Sequence, residues 1–253
     1  MMAAAGLAEL GPLTIAAAAA MTFAAAYVRG LTGFGMAIIL VPLLGLLMPP
    51  DEAVVLGILL QLLIGPVGLR QTLGEADRAS AIPIGLIAMA LTPAGMFLLS
   101  ITPPDMARLL ITGAAVAAFV AVILPKTTND TAPGRSAIWA TGVASGILTG
   151  FAAMPGPPVV PFYLRRRVEP RRARASMLTI FFLTAIAGTL AAMWLGIATQ
   201  RLFVMALILF VPMLLGNIWG GRHLGRVPPS LWQAMVAVVL GIAAIAGVVR
   251  AFG

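Results

Sequence analysis

The sequence predicts an all-α polytopic membrane protein made of two inverted-topology repeats, with broken-helix or re-entrant hairpins meeting near the midplane. Three observations predict it. Of the 253 residues, 61% are hydrophobic and only 9% charged, and the mean hydropathy is +1.06, which a soluble domain has no use for. Apolar runs of membrane-crossing length recur along the whole chain, punctuated by Pro, Gly and charge. One tetrapeptide, Leu-Thr-Gly-Phe, occurs at 31–34 and again at 148–151, each time interrupting an apolar stretch.

Ten segments follow from the apolar runs: roughly 12–28, 34–48, 53–69, 81–100, 106–124, 137–153, 157–164, 175–195, 202–220 and 231–250. A crossing helix needs about 20 residues, with a range near 17 to 25. The first segment contains TIAAAAAMTFAAA, but no Lys or Arg precedes Arg29. It lacks the basic start of a secretory signal and is expected to be a retained span. The second segment is marginal in length, and the seventh, PPVVPFYL, is far too short to cross alone. Unpaired backbone is tolerated at that depth only inside protein. The short pieces are therefore expected to be half-helices or re-entrant hairpins.

Basic residues orient the segments, because Lys and Arg accumulate on the cytoplasmic side. RRRVEPRRAR at 165–174 holds six arginines and is placed inside. Alternation then puts Arg70, Arg78, Lys126, Arg135, Arg222 and Arg226 inside too, which makes twelve of the sixteen basic residues cytoplasmic. The opposite loops, PPDE at 49–52 and TPPD at 102–105, carry acids and no base. Both chain ends fall outside. Trp139, Trp194, Trp219 and Trp232 lie near segment ends, as interfacial anchors do. The arginine cluster is read as a topology signal rather than a nucleic-acid or headgroup site. The expected partners are a small anionic substrate and the lipid bilayer, with no nucleic acid; a homodimer is left open.

The two Leu-Thr-Gly-Phe copies stand 117 residues apart, close to half the chain. ILVPLL at 39–44 parallels VVPFYL at 159–164, and Pro50 precedes the third segment as Pro170 precedes the eighth. Five segment steps separate the copies. That number is odd, so the copies run in opposite directions, as in inverted-repeat carriers. The expected units are an N-terminal repeat at 1–124, a cytoplasmic linker at 125–136 and a C-terminal repeat at 137–253.

The breaks carry the candidate chemistry. Gly30, Gly33, Gly35, Gly146, Gly150 and Gly156 permit unusual backbone angles or close approach, and Pro155, Pro157 and Pro158 remove amide donors. A helix beginning inside the membrane exposes free amides at a partially positive end, which suits an anion. The expected substrate-binding residues are Arg29, Thr32, Gly33, Phe34 and Gly35 at the first tip. At the second tip they are Thr149, Gly150, Pro155, Gly156 and Pro157, with Gln61 and Asn217 from neighbouring spans. Thr184 and Tyr163 are weaker polar candidates. The competing reading is that the glycines only let helices pack closely.

Other chemistries lack their residues. Cysteine is absent and His223 is the one histidine, so neither a metal site nor another cofactor is expected. All eight acids sit in loops or at segment ends, which disfavours a proton relay or a cation site. An anion uniporter needs neither, since the inside-negative potential supplies about 2.3 kcal/mol per charge per 100 mV. An intramembrane serine protease would need Gly-x-Ser-Gly before its serine, but Val143 precedes Ala144-Ser145-Gly146, and His223 falls in a loop. The chain is not expected to be an enzyme. A non-transporting subunit that assists a partner's assembly is the alternative from another class.

At these residues the sequence resembles the TauE/SafE family of membrane permeases. GLTGFGMAIILVPLL followed by PPDEAV is similar to that family's N-terminal signature, and GILTGFAAMPGPPVVPFYL to its C-terminal counterpart. Pro155 stands where that pattern has glycine. The resemblance spans nearly the whole chain. It implies export of small sulfur-containing anions, such as sulfite or a short organosulfonate like sulfoacetate, across a bacterial inner membrane.

Overall fold

The computed structural model describes residues 11–67, 69–123, 134–166 and 168–223. The expected segment at 231–250 lies outside them, as do Trp232, Arg226, Lys126, Arg167 and the acids Glu9 and Asp130. The described elements are all helical: α1 (Pro12–Thr32), α2 (Met36–Leu44), α3 (Pro50–Ile64), α4 (Leu69–Glu75), α5 (Arg78–Ile101), α6 (Pro104–Ile123), α7 (Arg135–Ala152), α8 (Gly156–Arg165), α9 (Pro170–Trp194) and α10 (Gln200–Arg222). The all-α polytopic class holds. Four of these, α1, α5, α9 and α10, are long and apolar enough to cross a membrane. The short helix α4 had no counterpart among the expected segments.

Local sequence explains where the helices start. Pro12, Pro50, Pro157 and Pro170 stand in the first positions of their helices, where the missing amide costs nothing and the fixed φ is already helical. Asp51 and Glu52 occupy the first turn of α3; Arg29, Arg165 and Arg222 occupy the last turns of α1, α8 and α10. Both placements complement the helix dipole.

Length decides burial. Helix α2 has nine residues, eight of them buried, and α3 is buried around most of its circumference. Neither is long enough to present a lipid-facing span, so both form the interior. The long helices leave large apolar side chains exposed instead: Leu86, Phe97, Leu190, Leu207 and Leu215 are examples. Trp139, Trp194 and Trp219 are exposed as well, near helix ends.

Close contacts give the sense of each helix. Phe23 lies against Gly216, Tyr27 against Gly220 and Gly30 against Gly221, so α1 and α10 run parallel. Glu52 pairs with Arg201 while Gly65 and Asn217 share a cavity at the other end, so α3 runs with them. Ile58 meets Gly188 and Gly65 meets Phe182, which makes α9 antiparallel to α3. Gly85 lies beside Ile180 and Thr92 beside Gly188; Gly142 lies beside Ile84 and Gly150 beside Met96. Helices α5, α7 and α9 therefore share one sense, opposite to α1, α3 and α10.

Two consequences follow. Arg78, Arg135, Arg165, Arg171, Arg172, Arg174 and Arg222 gather at one end of the bundle, with the C-terminal end of α1 that carries Arg29. Asp51, Glu52, Arg201, Asp105 and Arg108 occupy the other. The long helix of each half also packs on the opposite half: α1 lies along α10, and α7 along α5. Small residues make both contacts. A Cβ on Gly220 would strike the Tyr27 carbonyl, and one on Gly146 the Ala88 carbonyl, so only glycine permits the spacing.

Candidate functional site

Both Leu-Thr-Gly-Phe copies end a helix, and after each the chain doubles back. Gly33 has φ +83° and closes α1, its amide donating to the Arg29 carbonyl at 2.7 Å. Gly35, at φ +88°, opens α2. Two residues so close together in the left-handed region are accessible at little cost only to glycine. In the second copy Ala153 takes the left-handed position, with φ 57°. Its amide donates to the Thr149 carbonyl (2.7 Å) and that of Met154 to the Leu148 carbonyl (3.1 Å). Met36 to Ile38 sit near Gln61 and Val41 lies against Gly57, so α2 returns antiparallel to α3 and therefore to α1. Gly156 sits near Phe181, while Tyr163 reaches Ser80, so α8 returns antiparallel to α7. Both short helices are the returning arms of helical hairpins.

The two turns face one cleft. It is lined by Arg29, Phe34, Gly35, Met36, Ala37 and Ile38 of the first hairpin, by Met154, Pro155 and Gly156 of the second, and by Gln61 and Phe181. Its volume is about 20 Å³, room for about one water. The donors that face it are unequal. Met36, Ala37 and Ile38 open α2, and their amides have no acceptor within the helix. The second arm opens with Gly156 and then two prolines, which carry no amide hydrogen.

A larger cavity of about 110 Å³ adjoins the first turn. It is lined by Arg29, Gly33, Ile64, Gly65, Val67, Thr72, Arg174, Leu178 and Asn217. Arg29 donates to Asn217 Oδ1 at 3.3 Å. Among the described residues, neither Arg29 nor Arg174 has a carboxylate partner, whereas Arg108, Arg166, Arg171, Arg172 and Arg201 all do.

The remaining expected residues support the turns. The Thr32 hydroxyl lies 2.9 Å from the Val28 carbonyl and 2.7 Å from that of Phe34, and it accepts from the Phe34 amide. The Thr149 hydroxyl donates to the Ser145 carbonyl at 2.7 Å and is buried. Gly150 is pressed against α5, where a Cβ would strike the Thr92 carbonyl. Neither Thr149, Gly150 nor Pro157 lines the cleft. Gln61 donates to the Ala153 carbonyl at 2.9 Å and so ties α3 to the second turn. Thr184 bonds the Phe181 carbonyl of its own helix. Ser145 is fully buried and donates to the Pro155 carbonyl, while His223 is at the exposed end of α10 on the Trp219 carbonyl. That pairing of roles leaves the serine with a structural duty.

The family described as Sulfite exporter TauE/SafE matches residues 18–247. The chain belongs to the TauE/SafE family. A TauE/SafE relative, the probable sulfite/organosulfonate exporter TauE of Cupriavidus necator, is 25% identical over 112 residues. The match covers 44% of this chain and 44% of that protein. No solved structure matches the chain. Family and apolar helices together make this TauE/SafE chain a multi-pass membrane protein of a transporter family. Sequence reasoning had left Arg174 among the topology arginines and had not singled out Ser145, Met154 or Phe181 for the turns. Arg174 stands one helical turn past Pro170, which starts α9, so it falls inside the helix rather than in the loop before the expected segment at 175–195.

Proposed function

We propose that this protein exports small sulfur-containing anions, such as sulfite or a short organosulfonate like sulfoacetate, across the bacterial inner membrane. The observation that carries the reading is Arg29, an arginine without an acidic partner among the described residues, at the point where both hairpin turns face one cleft. An intramembrane cation is costly unless it is used, and an anion between the turns would use it. The amides of Met36, Ala37 and Ile38 supply donors beside it, Gln61 lines the cleft, and Asn217 holds Arg29 from the adjoining cavity. The family and its probable sulfite/organosulfonate exporter relative support sulfur anions as the cargo.

The mechanism is alternating access. The opposite senses of α1 and α7 and the exchange of long helices between halves support two inverted repeats, 1–124 and 137–253, joined by a linker at 125–136. A cleft that holds about one water is the closed form of such a site. Rocking of the halves widens it to one side and then the other. Outward movement of an anion gains from the inside-negative potential, so uniport needs no coupling carboxylate.

Efflux of sulfite and sulfoacetate from proteoliposomes tests this reading. Wild-type vesicles should release at least one of them under an inside-negative potential, and Arg29→Gln vesicles should not. Equal efflux from both, or none from folded wild type, refutes it.

A further inference from the structure

We infer that the cavity between Arg29 and Arg174 is a loading site for a small anion bearing two negative charges, occupied before the anion enters the cleft between the turns. The inference rests on the anion-carrier reading above and goes beyond it by naming a second site and a charge class. Arg29 lines both spaces, Gly33 only the cavity and Gly35 only the cleft. The two spaces are therefore consecutive, with Arg29 in the wall between them. Arg174 is seven residues before Phe181 on α9, which places it about 10 Å nearer the arginine-rich end at 1.5 Å per residue. The cavity lies on that side of the cleft, and the exposed Val67 is at its rim.

The chemistry of the lining sets the ligand class. Among the described residues its polar lining is Arg29, Arg174, Asn217 and Thr72, and no described Asp or Glu lines it. Guanidinium is planar and offers paired donors suited to sulfonate and carboxylate oxygens. With no acid between them, two arginines in one cavity repel each other, and a dianion removes that repulsion where a monoanion removes only part of it. The volume of about 110 Å³ has room for several waters, hence for an anion of a few heavy atoms. Gly33 fixes the second arginine: a Cβ there would come within 2.8 Å of Arg174 Cγ, so the glycine lets the Arg174 stem lie across the turn. Sequence alone gave Arg174 no such part.

The test is calorimetry on purified, detergent-solubilised full-length protein with two probes that share a sulfonate head: sulfoacetate, a dianion, and methanesulfonate, a monoanion. Arg174→Gln should weaken sulfoacetate at least tenfold and methanesulfonate less than threefold. Arg174→Lys keeps the charge and should retain the preference for sulfoacetate at reduced affinity. Unaltered sulfoacetate binding in Arg174→Gln, or an equal loss for both probes, overturns the loading site while leaving an anion carrier intact. Failure of folded wild type to bind either probe overturns both readings. If Arg174→Gln does not fold, Arg174→Lys decides: loss of the dianion preference with the charge retained is the overturning result.

Discussion

Arg29 faces both the cleft and the cavity, so substitutions there separate charge from shape. A hydrogen bond to a charged group contributes roughly 1.5–3 kcal/mol, about 10- to 100-fold in affinity. Arg29→Gln should lower anion affinity by that factor in calorimetry, with Arg29→Lys in between. The two turn glycines differ in a way that stability measurements can read. A Cβ on Gly35 would make only an ordinary van der Waals contact, with Val28 Cγ1 at 3.9 Å. Gly35→Ala therefore pays only the left-handed strain, about 1–2 kcal/mol. Gly33→Ala adds a clash with Arg174; its thermal unfolding temperature should fall further, and sulfoacetate binding with it. The threonines of the repeated motif show the limit of reading residues singly. Both are expected from the sequence to bind substrate, and both hydroxyls bond backbone at their own helix end, because a hydroxyl four residues past a carbonyl is already within its reach.

At the scale of elements, the sequence showed where helices break but not what the breaks rest on. The Ala153 carbonyl is held by Gln61 of α3, ninety-two residues away, and the Pro155 carbonyl by Ser145 of α7. Gln61→Leu would leave a buried carbonyl unpaired, a cost of about 1–3 kcal/mol, and should lower both the unfolding temperature and efflux. The glycines divide into two groups with different tests. Gly146, Gly150 and Gly220 lie against neighbouring backbone, which cannot move aside. Valine at Gly150 or Gly220 should abolish a monodisperse peak in size-exclusion chromatography. A Cβ on Gly113, in α6, would meet nothing within 4 Å among the described residues; Gly113→Ala should leave that peak and the unfolding temperature unchanged or slightly raised. Some of the repeated glycines thus turn the chain, and others seat helices against neighbouring backbone.

At the scale of the molecule, each end of the bundle is closed by charges that join the two halves. Glu52 pairs with Arg201 at one end. At the other, Glu75 pairs with Arg171 at 2.8 Å, and the buried Asp77 accepts from Arg166 at 3.0 Å and from Ser80 at 2.7 Å. Ser80 in turn meets Tyr163 of α8 at 2.9 Å, and Arg172 of α9 lies 3.7 Å from Asp77, so α5, α8 and α9 meet at one carboxylate. In the sequence the eight acids all stand in loops or at segment ends, and nothing there marks Asp77 as buried. Alternating access requires one such end to part while the other holds. The chain has no native cysteine, so paired cysteines can be bridged cleanly. A short reducible thiol cross-linker across Glu75→Cys/Arg171→Cys, or across Glu52→Cys/Arg201→Cys, should each stop efflux, and reductant should restore it. Unaffected efflux in both cross-linked proteins would rule out rocking of the two halves.

The sequence by itself determined the class, the positions of the breaks and the uneven distribution of charge. These follow from composition and from glycine and proline, whose effects act within a few residues of themselves. Only the tertiary structure decided that the short arms double back, that Arg174 joins Arg29 in one cavity, and that Gln61 and Ser145 hold the turns. Each of these depends on which side chains distant segments bring into contact, and that is set by how ten helices pack among the described residues rather than by any local pattern.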